Sequence, residues 1–164
     1  MMDTCATEYC KGEYRKMSNE NYWNNKEARN KSAEAHTADM QIRYGQQIIA
    51  SAADTRRYGY PDCGPLRKTG ERRYPDTEIV NMDSVTAIFA KKEGKTAVLN
   101  FASYKNPGGM FLEGSCAQEE CLCHASYLYN VLSRYDATYY SLNRQNLNKS
   151  LYRNRALYTP NVFF

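Results

Sequence analysis

The sequence lacks the long apolar segments that mark membrane and secreted proteins. No run of about 18 apolar residues occurs, so we expect no membrane-spanning helix. The N-terminal stretch MMDTCATEYCKGEYRK has no apolar segment of the kind found in signal peptides. We therefore expect a cytoplasmic protein whose six cysteines are reduced thiols.

Internal repeats and low-complexity tracts are also absent, and 164 residues suit one domain with its own core. Charged residues make up 24% and hydrophobic residues 42% of the chain, a composition typical of a globular protein. The mean hydropathy of -0.76 is low, and tyrosine, with 15 residues, supplies much of the apolar content. We expect many of these rings to be half-buried with solvated hydroxyls.

The net charge of +4 is concentrated near the C-terminus. Residues 134–164 contain Asp136 as their one acidic side chain. Their basic residues are Arg134, Arg144, Lys149, Arg153 and Arg155. A solvated basic surface is the simpler interpretation, and a phosphate-facing surface is the alternative. Nucleic acid is not an expected partner, because no known binding motif accompanies the charge. Salt-sensitive binding to unrelated RNA or DNA would instead support a nucleic-acid-binding module.

The first part of the chain predicts one long helix followed by a loop. Ser32–Arg57 has apolar side chains four residues apart, which predicts a helix with one apolar face. This face consists of Met40, Tyr44, Ile48 and Ala52. Tyr58–Pro75 contains GYPDCGP and TGERRYP, which indicate turns. Residues 1–75 are therefore assigned to a helical N-terminal extension and a loop.

The middle of the chain predicts a strand, a helix and a second strand. Thr77–Met82 has strand character, and Ser84 is suited to cap a short helix. Gly94 would end that helix. Lys95–Ala102 (KTAVLNFA) is a short apolar run after this glycine, which predicts a buried strand. Such a succession implies parallel pairing with a right-handed crossover.

Two further helices are predicted after the second strand. Ser115–Ser133 has a helical apolar face, and Ser115 and Gln118 have the spacing of a capping box. A weaker pattern predicts a helix over Tyr139–Tyr152. Because two strands are too few for a stable parallel sheet, we expect an α/β fold whose C-terminal strands are missing from the sequence.

The segment Asn106–Glu120, NPGGMFLEGSCAQEE, holds the residues best suited to chemistry. It follows the second predicted strand, at the sheet edge where ligands bind in open α/β folds. Gly108 and Gly109 lack a Cβ, so their backbone can approach a ligand and form an anion site. Glu119 and Glu120 begin a predicted helix and point about 100° apart. Taken singly, an ordinary turn and acids that stabilise a helix start explain these features more simply.

In combination, the buried strand, NPGG and Gln118–Glu120 resemble the Gly-Gly-Gly, spacer, Gln-Glu-Glu signature of microbial-type poly(ADP-ribose) glycohydrolases. The resemblance runs from about Glu78 to Ser133, and RALYTPNVFF at 155–164 is similar to a stretch that leads into a later strand of that family. It implies a macrodomain-like three-layer α/β fold, with residues 76–164 as the N-terminal portion of the catalytic domain. Met110 replaces the third glycine of the signature.

The resemblance also implies roles for individual residues. Glu120 would be the catalytic acid/base, Glu119 would hold the ribose that is cleaved, and Gln118 would orient the pair. The other substrate-binding residues that it implies are Gly108, Gly109, Asn100, Asn106 and Asp83. The implied reaction hydrolyses ribose–ribose O-glycosidic bonds in poly(ADP-ribose) and releases ADP-ribose, with no cofactor and no metal. A non-catalytic ADP-ribose-binding module, or an inactive fragment of the enzyme, is the alternative.

Cys116, Cys121, Cys123 and His124 suggest a zinc site at first sight. Their spacing differs from that of CxxC pairs, and a helix would send Cys121 and Cys123 to different sides. We therefore expect structural cysteines, with Cys121 in the core. The other histidine, His36, is expected on the surface of the first helix.

Overall fold

The computed structural model describes residues 25–59, 76–90, 94–145 and 155–164. Within these ranges the chain forms helices, turns and one short antiparallel sheet, a mixed α/β composition. None of the described helices combines the length with the apolar character that crossing a lipid bilayer requires. Turns were predicted for Tyr58–Pro75. Residues 60–75 of this segment lie outside the described ranges.

Helix α1 spans Lys26–Asp54, which confirms the long helix predicted for Ser32–Arg57 but moves both of its ends. Asn25 sets the earlier start because its side chain accepts a hydrogen bond from the Ala28 amide at 3.0 Å. This bond satisfies one of the free amides that every helix start exposes. The helix ends earlier than predicted because the residues after Asp54 enter a strand.

The predicted apolar face of α1 packs into the core, where Met40 and Ile48 are fully buried. The helix bends at Tyr44, whose φ of -122° and ψ of 22° leave the helical region. The prediction that His36 lies on the surface is wrong, since this residue is only 5% exposed. His36 precedes Met40 by four residues and so shares its buried face, where its Nε2 lies 2.9 Å from the Ser126 carbonyl oxygen.

Helix α2 spans Ser84–Ala90 and confirms the short helix predicted there. The predicted cap is wrong by one residue, because Asp83 rather than Ser84 accepts the first amides. The Asp83 Oδ1 atom accepts from Val85 and Thr86, each at 3.0 Å. A carboxylate caps a helix as well as a hydroxyl does and also favours the positive end of the helix dipole.

The two strands predicted on either side of α2 are not formed. Residues 76–83 and 94–102 run through bends and irregular backbone, and Ile79, Leu99 and Phe101 are 94%, 73% and 74% exposed. No strand in the described ranges pairs with either segment. An apolar run becomes a strand only where a neighbour completes its hydrogen bonds, so the prediction of a parallel pair was wrong here. The predicted helix end near Gly94 is untested because residues 91–93 lie outside the described ranges.

An antiparallel pair joins strand β1, Arg56–Tyr58, to strand β2, Ala156–Tyr158. Arg56 lies opposite Tyr158 in the register. The predicted helix end and loop start at these residues were wrong, because the partner strand of β1 lies near the other end of the chain. The macrodomain-like three-layer arrangement stays a prediction.

The helix predicted for Ser115–Ser133 is divided into α3, Gln118–His124, and α4, Leu128–Leu132. Ser126 lies at the break. Its hydroxyl donates to the Leu122 carbonyl of α3 at 2.7 Å and accepts from the first amide of α4 at 3.2 Å. Serine competes in this way with the backbone bonds of a helix, and one continuous helix was therefore a wrong prediction.

The chain continues from α4 through further helical turns of different pitch. A 3-10 turn covers Ser133–Tyr135, a π-helical turn covers Asp136–Tyr140, and helix α5 covers Ser141–Gln145. The helix predicted for Tyr139–Tyr152 is confirmed up to residue 145. Residues 146–154 lie outside the described ranges.

Two groups of buried apolar side chains hold these helices together. The first lies between α1 and α4 and consists of Met40, Ile48, Tyr127 and Val131. The second draws on helices α1 to α4 and on the glycine-rich loop. Its members are Ala33, Val85, Ile88, Phe111, Leu122, Cys123, Ala125, Leu128 and Leu132. Phe111 therefore anchors the loop in the core.

Candidate active site

A compact series of turns carries the chain from Asn106 to Ser115. The amides of Gly109, Phe111 and Gly114 each donate to the carbonyl three residues earlier, at 3.1–3.2 Å, and the Ser115 amide closes the loop at 3.0 Å. Because these turns satisfy backbone groups within the loop itself, the loop keeps its shape without a neighbouring strand.

Two glycines bring this loop against the helices that follow it. Gly108 and Gly109 have φ values of 67° and 66°, which other residues rarely adopt. A Cβ on Gly109 would lie 2.4 Å from Glu120 Oε1, and a Cβ on Gly108 would lie 2.7 Å from Tyr129 Cδ2. Conformation and space therefore both require glycine at these positions, and the positive φ expected of them is confirmed.

Glu119, in the first turn of α3, is 3% exposed and is held by several donors. Its Oε2 accepts from the Ser103 amide at 2.7 Å, and its Oε1 accepts from Asn100 Nδ2 at 3.2 Å. Burial raises the pKa of Glu119 above its ordinary value, and the adjacent Glu120 charge adds to the rise. The hydrogen bonds from Ser103, Asn100 and the Gly108 amide act in the opposite direction.

Glu120 is equally buried, at 5% exposure, but its two oxygens have different surroundings. Oε1 accepts from the Met110 amide at 2.9 Å. Oε2 has no hydrogen-bond partner among the described residues. An amide of the glycine-rich loop thus donates to the protein's own carboxylate. Oε2 is the oxygen with unused hydrogen-bonding capacity, and burying such an atom without a partner is unfavourable.

Met110 fits the position where the glycohydrolase signature has its third glycine. Asn161 is the only non-glycine residue of the described ranges with a positive φ. Met110 is therefore outside the left-handed region, and its side chain is 48% exposed. Its contribution to the site is the amide that holds Glu120.

Gln118 connects α3 to the two segments that precede it. Its Nε2 donates to the Leu99 carbonyl at 2.9 Å and to Ser84 Oγ at 3.0 Å, and its Oε1 accepts from the Phe101 amide at 2.7 Å. The predicted capping box is wrong because this side chain is engaged elsewhere, and Ala117 is the N-cap residue. Gln118 fixes the stretch that supplies donors to Glu119, and its role of orienting the acid pair stays a prediction.

Asn100 presents a second acceptor without a partner. Its Nδ2 donates to Glu119, whereas its Oδ1 is buried and makes no hydrogen bond to any described residue. The site thus contains two buried oxygens that can accept further hydrogen bonds. These atoms are Asn100 Oδ1 and Glu120 Oε2. Hydroxyl and amide groups are the donors that would satisfy them.

Asp83 and Asn106 lie at the margins of this arrangement. Asp83 is exposed, and its carboxylate caps α2 next to the serine that Gln118 contacts. Asn106 is exposed and contributes backbone contacts, donating to Ser103 Oγ at 3.2 Å. The predicted residues that the structure brings into direct contact are Asn100, Asn106, Gly108, Gly109, Glu119 and Glu120.

Three residues that hold the site were absent from the sequence prediction. Ser103 supplies an amide to Glu119, and its position before a turn is a signal that could have indicated it. Arg29 and Asn30, in the first turns of α1, donate to carbonyls of the glycine-rich loop. No local pattern relates them to a loop more than 80 residues later, since both contacts span over 80 positions.

Cys121, Cys123 and His124, which follow the acid pair in α3, are held in uncharged form. Burial raises the pKa of Cys121 to about 11, with the Cys116 and Asp83 charges contributing. Burial likewise raises the pKa of Cys123, and it lowers the pKa of His124 to about 3. The described ranges contain no group of three or more His, Cys, Asp or Glu residues placed to hold a metal ion.

Comparison with known protein families shows the family to which the chain belongs. The family described as "Microbial-type PARG, catalytic domain" matches residues 12–164. The chain belongs to this family. PARG denotes poly(ADP-ribose) glycohydrolase, and membership indicates a glycosidase that acts on poly(ADP-ribose). No curated protein and no solved structure matches the chain. The PARG match includes α1 as well as the glycine-rich loop and the acid pair.

Proposed function

We propose that this chain hydrolyses the ribose–ribose O-glycosidic bonds of poly(ADP-ribose), releasing ADP-ribose, with Glu120 as the general acid/base. One observation carries the proposal. Glu120 Oε1 is fixed by the Met110 amide, whereas the buried Oε2 has no partner among the described residues. A carboxyl group that is anchored through one oxygen and unpaired at the other is suited to exchange a proton with a bound ligand.

Cleavage of a glycosidic bond passes through an oxocarbenium-like state. The leaving oxygen needs a proton, and the anomeric carbon needs a water molecule. Glu120 donates the proton to the leaving oxygen, and its carboxylate then takes a proton from the attacking water. Glu119 does not act as a second carboxylate on the opposite face, because it is adjacent in α3 and its two oxygens accept from Asn100 and Ser103.

The ribose being cleaved is assigned to Glu119, Asn100 and Glu120. Asn100 Oδ1 and Glu120 Oε2 are buried acceptors without partners in the described chain. Sugar hydroxyls are donors that satisfy such acceptors.

The remaining predicted contacts are assigned to the rest of the ligand. Gly108 and Gly109 are assigned to the loop that lies along the ligand, and the absence of a Cβ lets this loop pack against Tyr129 and Glu120. Asn106 lies in the same loop. Asp83, at the start of α2, is assigned to the adenine. Gln118 keeps the support role that connects these segments.

The test compares the purified chain with Glu120→Gln and with Glu113→Gln in polymer hydrolysis. Glu113 is an exposed acid of the same loop, so its variant removes the same charge without touching the site. We expect kcat to fall about 10³-fold in Glu120→Gln, the range of a lost acid/base group, and to stay unchanged in Glu113→Gln. Calorimetric titration with ADP-ribose should show saturable binding by all three proteins.

The outcomes separate the possible functions. Saturable binding without cleavage by the unmodified chain would support the ADP-ribose-binding module instead. Cleavage by Glu120→Gln at the normal rate would assign the acid/base role to another group. A folded chain that neither binds ADP-ribose nor cleaves the polymer would exclude the proposed function.

A further inference from the structure

The first turns of α1 hold the half of the glycine-rich loop that follows Phe111. Arg29 Nε donates to the Gly114 carbonyl at 2.6 Å, and Asn30 Nδ2 donates to the Leu112 carbonyl. Gly114 is buried with a φ of 75°, and a Cβ there would lie 2.4 Å from the Lys26 carbonyl oxygen. The loop therefore lies directly on the backbone of α1.

The two halves of the loop are held by chemically different groups. The half that includes Met110 is held by Glu120, the acid that changes its protonation state during the proposed reaction. The half that includes Leu112 is held by the Asn30 side-chain amide, which neither gains nor loses a proton. The Asn30 anchor can therefore keep the same hydrogen bond through a turnover, while Glu120 changes its charge.

We propose that Asn30 is a positioning residue for the glycosidase reaction. It acts through the Leu112 carbonyl, two residues beyond Met110, and so fixes the amide that holds Glu120 Oε1. This inference rests on the proposed function. If Asn30 positions Met110, helix α1 supports the active site and is more than an extension next to the catalytic domain.

The experiment uses the full chain with Asn30→Asp and Asn30→Gln. Asn30→Asp keeps the size of the side chain but replaces the donor with an acceptor that repels the Leu112 carbonyl. An acid near a helix start does not weaken the helix. Asn30→Gln keeps the amide donor on a longer arm. Gln46→Glu is the matched control, because it adds the same charge at an exposed position of α1.

Steady-state hydrolysis of poly(ADP-ribose) is the first measurement. We expect kcat to fall at least tenfold in Asn30→Asp while KM changes less than about threefold, because misplacing a catalytic group slows chemistry. Asn30→Gln should regain part of the loss, and Gln46→Glu should match the unmodified chain. An unchanged kcat in folded Asn30→Asp, or an equal loss in Gln46→Glu, would overturn the proposal.

Amide hydrogen exchange in the ligand-free protein is the second measurement and does not depend on activity. Exchange at Met110 should become about tenfold faster in Asn30→Asp, while the buried Val131 amide of α4 keeps its rate. Faster exchange at both amides would mean a loss of overall stability and would overturn the positioning role. If the unmodified chain does not cleave polymer, the proposed function fails, and the Met110 rate alone then supports or overturns the contact between Asn30 and the loop.

Discussion

Phe101 and Phe111 lie ten positions apart, yet Phe101 is 74% exposed and Phe111 is fully buried. They represent two regions of the molecule. The loop region, residues 103–124, contains the glycine-rich turns and the acid pair. The extended region, residues 76–83 and 94–102, carries apolar side chains on irregular backbone. Both regions have apolar runs in the sequence, and only the loop region has its apolar ring in the core.

The difference follows from where each backbone finds its hydrogen bonds. Turns within the loop satisfy many of its own amides, and α1 and α3 supply partners for others. Burial of Phe111 therefore does not leave these groups unpaired. An extended segment has no internal partners of this kind, and the Gln118 side chain holds residues 99 and 101. Local turns can thus bury an apolar residue where an extended run without a strand partner cannot.

Acid pH should have the largest effect on the free energy of unfolding, because it acts on a buried histidine of the loop region. His124 lies 4.5 Å from the Phe111 ring, measured between ring centroids, and its pKa falls to about 3 because of burial and of the nearby His36 and Arg29 charges. In the unfolded chain the ordinary value of 6.5 applies. The neutral imidazole thus stabilises the fold above pH 6.5, and this contribution, on the order of 4 kcal/mol, is lost as the pH falls toward 3.

Denaturant unfolding at about pH 7.5 and about pH 4.5 checks this, with His124→Gln as the comparison. The unmodified chain should lose more of its free energy of unfolding on acidification than the variant does. Glu119 has a raised pKa, so it acts in the opposite direction and is present in both proteins. Equal losses in the two proteins would remove His124 as the cause.

Two glycine substitutions compare the regions at matched backbone conformation. Gly114 and Gly94 have φ values of 75° and 67°, so alanine costs about 1 kcal/mol at each through the left-handed conformation alone. A Cβ on Gly114 also meets the Lys26 carbonyl oxygen at 2.4 Å, whereas one on Gly94 meets nothing within 4 Å. We expect Gly114→Ala to lower the free energy of unfolding by about 3 kcal/mol and Gly94→Ala by about 1 kcal/mol, measured by denaturant titration. Similar losses would show that α1 does not support the loop as described.

Gln118→Glu tests the connection between the two regions. The carboxylate can still accept from the Phe101 amide, but it loses the donor to Leu99 and places its charge against that carbonyl. We expect a loss of about 1 kcal/mol in thermal or denaturant unfolding, because the Leu99 carbonyl and the Ser84 hydroxyl both lose the Gln118 donor. Gln145→Glu, at an exposed position of α5, is the matched control and should be neutral. A neutral Gln118→Glu would mean that the extended region is held by other contacts.

The smallest effect is expected in the extended region itself. Leu99→Ser and Phe101→Ser remove side chains that are 73% and 74% exposed, so each should change the free energy of unfolding by less than about 0.5 kcal/mol. The measurement is denaturant unfolding at neutral pH. A loss above about 1 kcal/mol would show that this face is covered in solution, and the contrast with Phe111 would then disappear.

Periodic and conformational signals in the sequence predicted part of this architecture. The long helix and the short helix at Ser84 were found because their apolar faces repeat locally. The positive φ values of Gly108 and Gly109 were expected because glycine permits them. The strand prediction failed for Lys95–Ala102, since pairing depends on a neighbour that a local pattern does not reveal.

The candidate site shows the same division. The chemistry-bearing residues were visible because NPGG and QEE occur close together and resemble a known signature. The partners of the acids were less visible, because Ser103 and Asn100 reach Glu119 only through the folded path of the chain. His36 was expected at the surface, and its burial depends on the segment around Ser126 that packs over it.

The sequence by itself determined the helices with strong apolar faces, the glycine conformations and the family to which the chain belongs, because these depend on local residue order. Only the tertiary structure decided that Glu120 Oε2 meets no partner among the described residues, that Gln118 connects three segments, and that α1 holds the loop. Each of these features requires residues far apart in the chain to meet. Such contacts form only when burial of apolar surface draws the helices together.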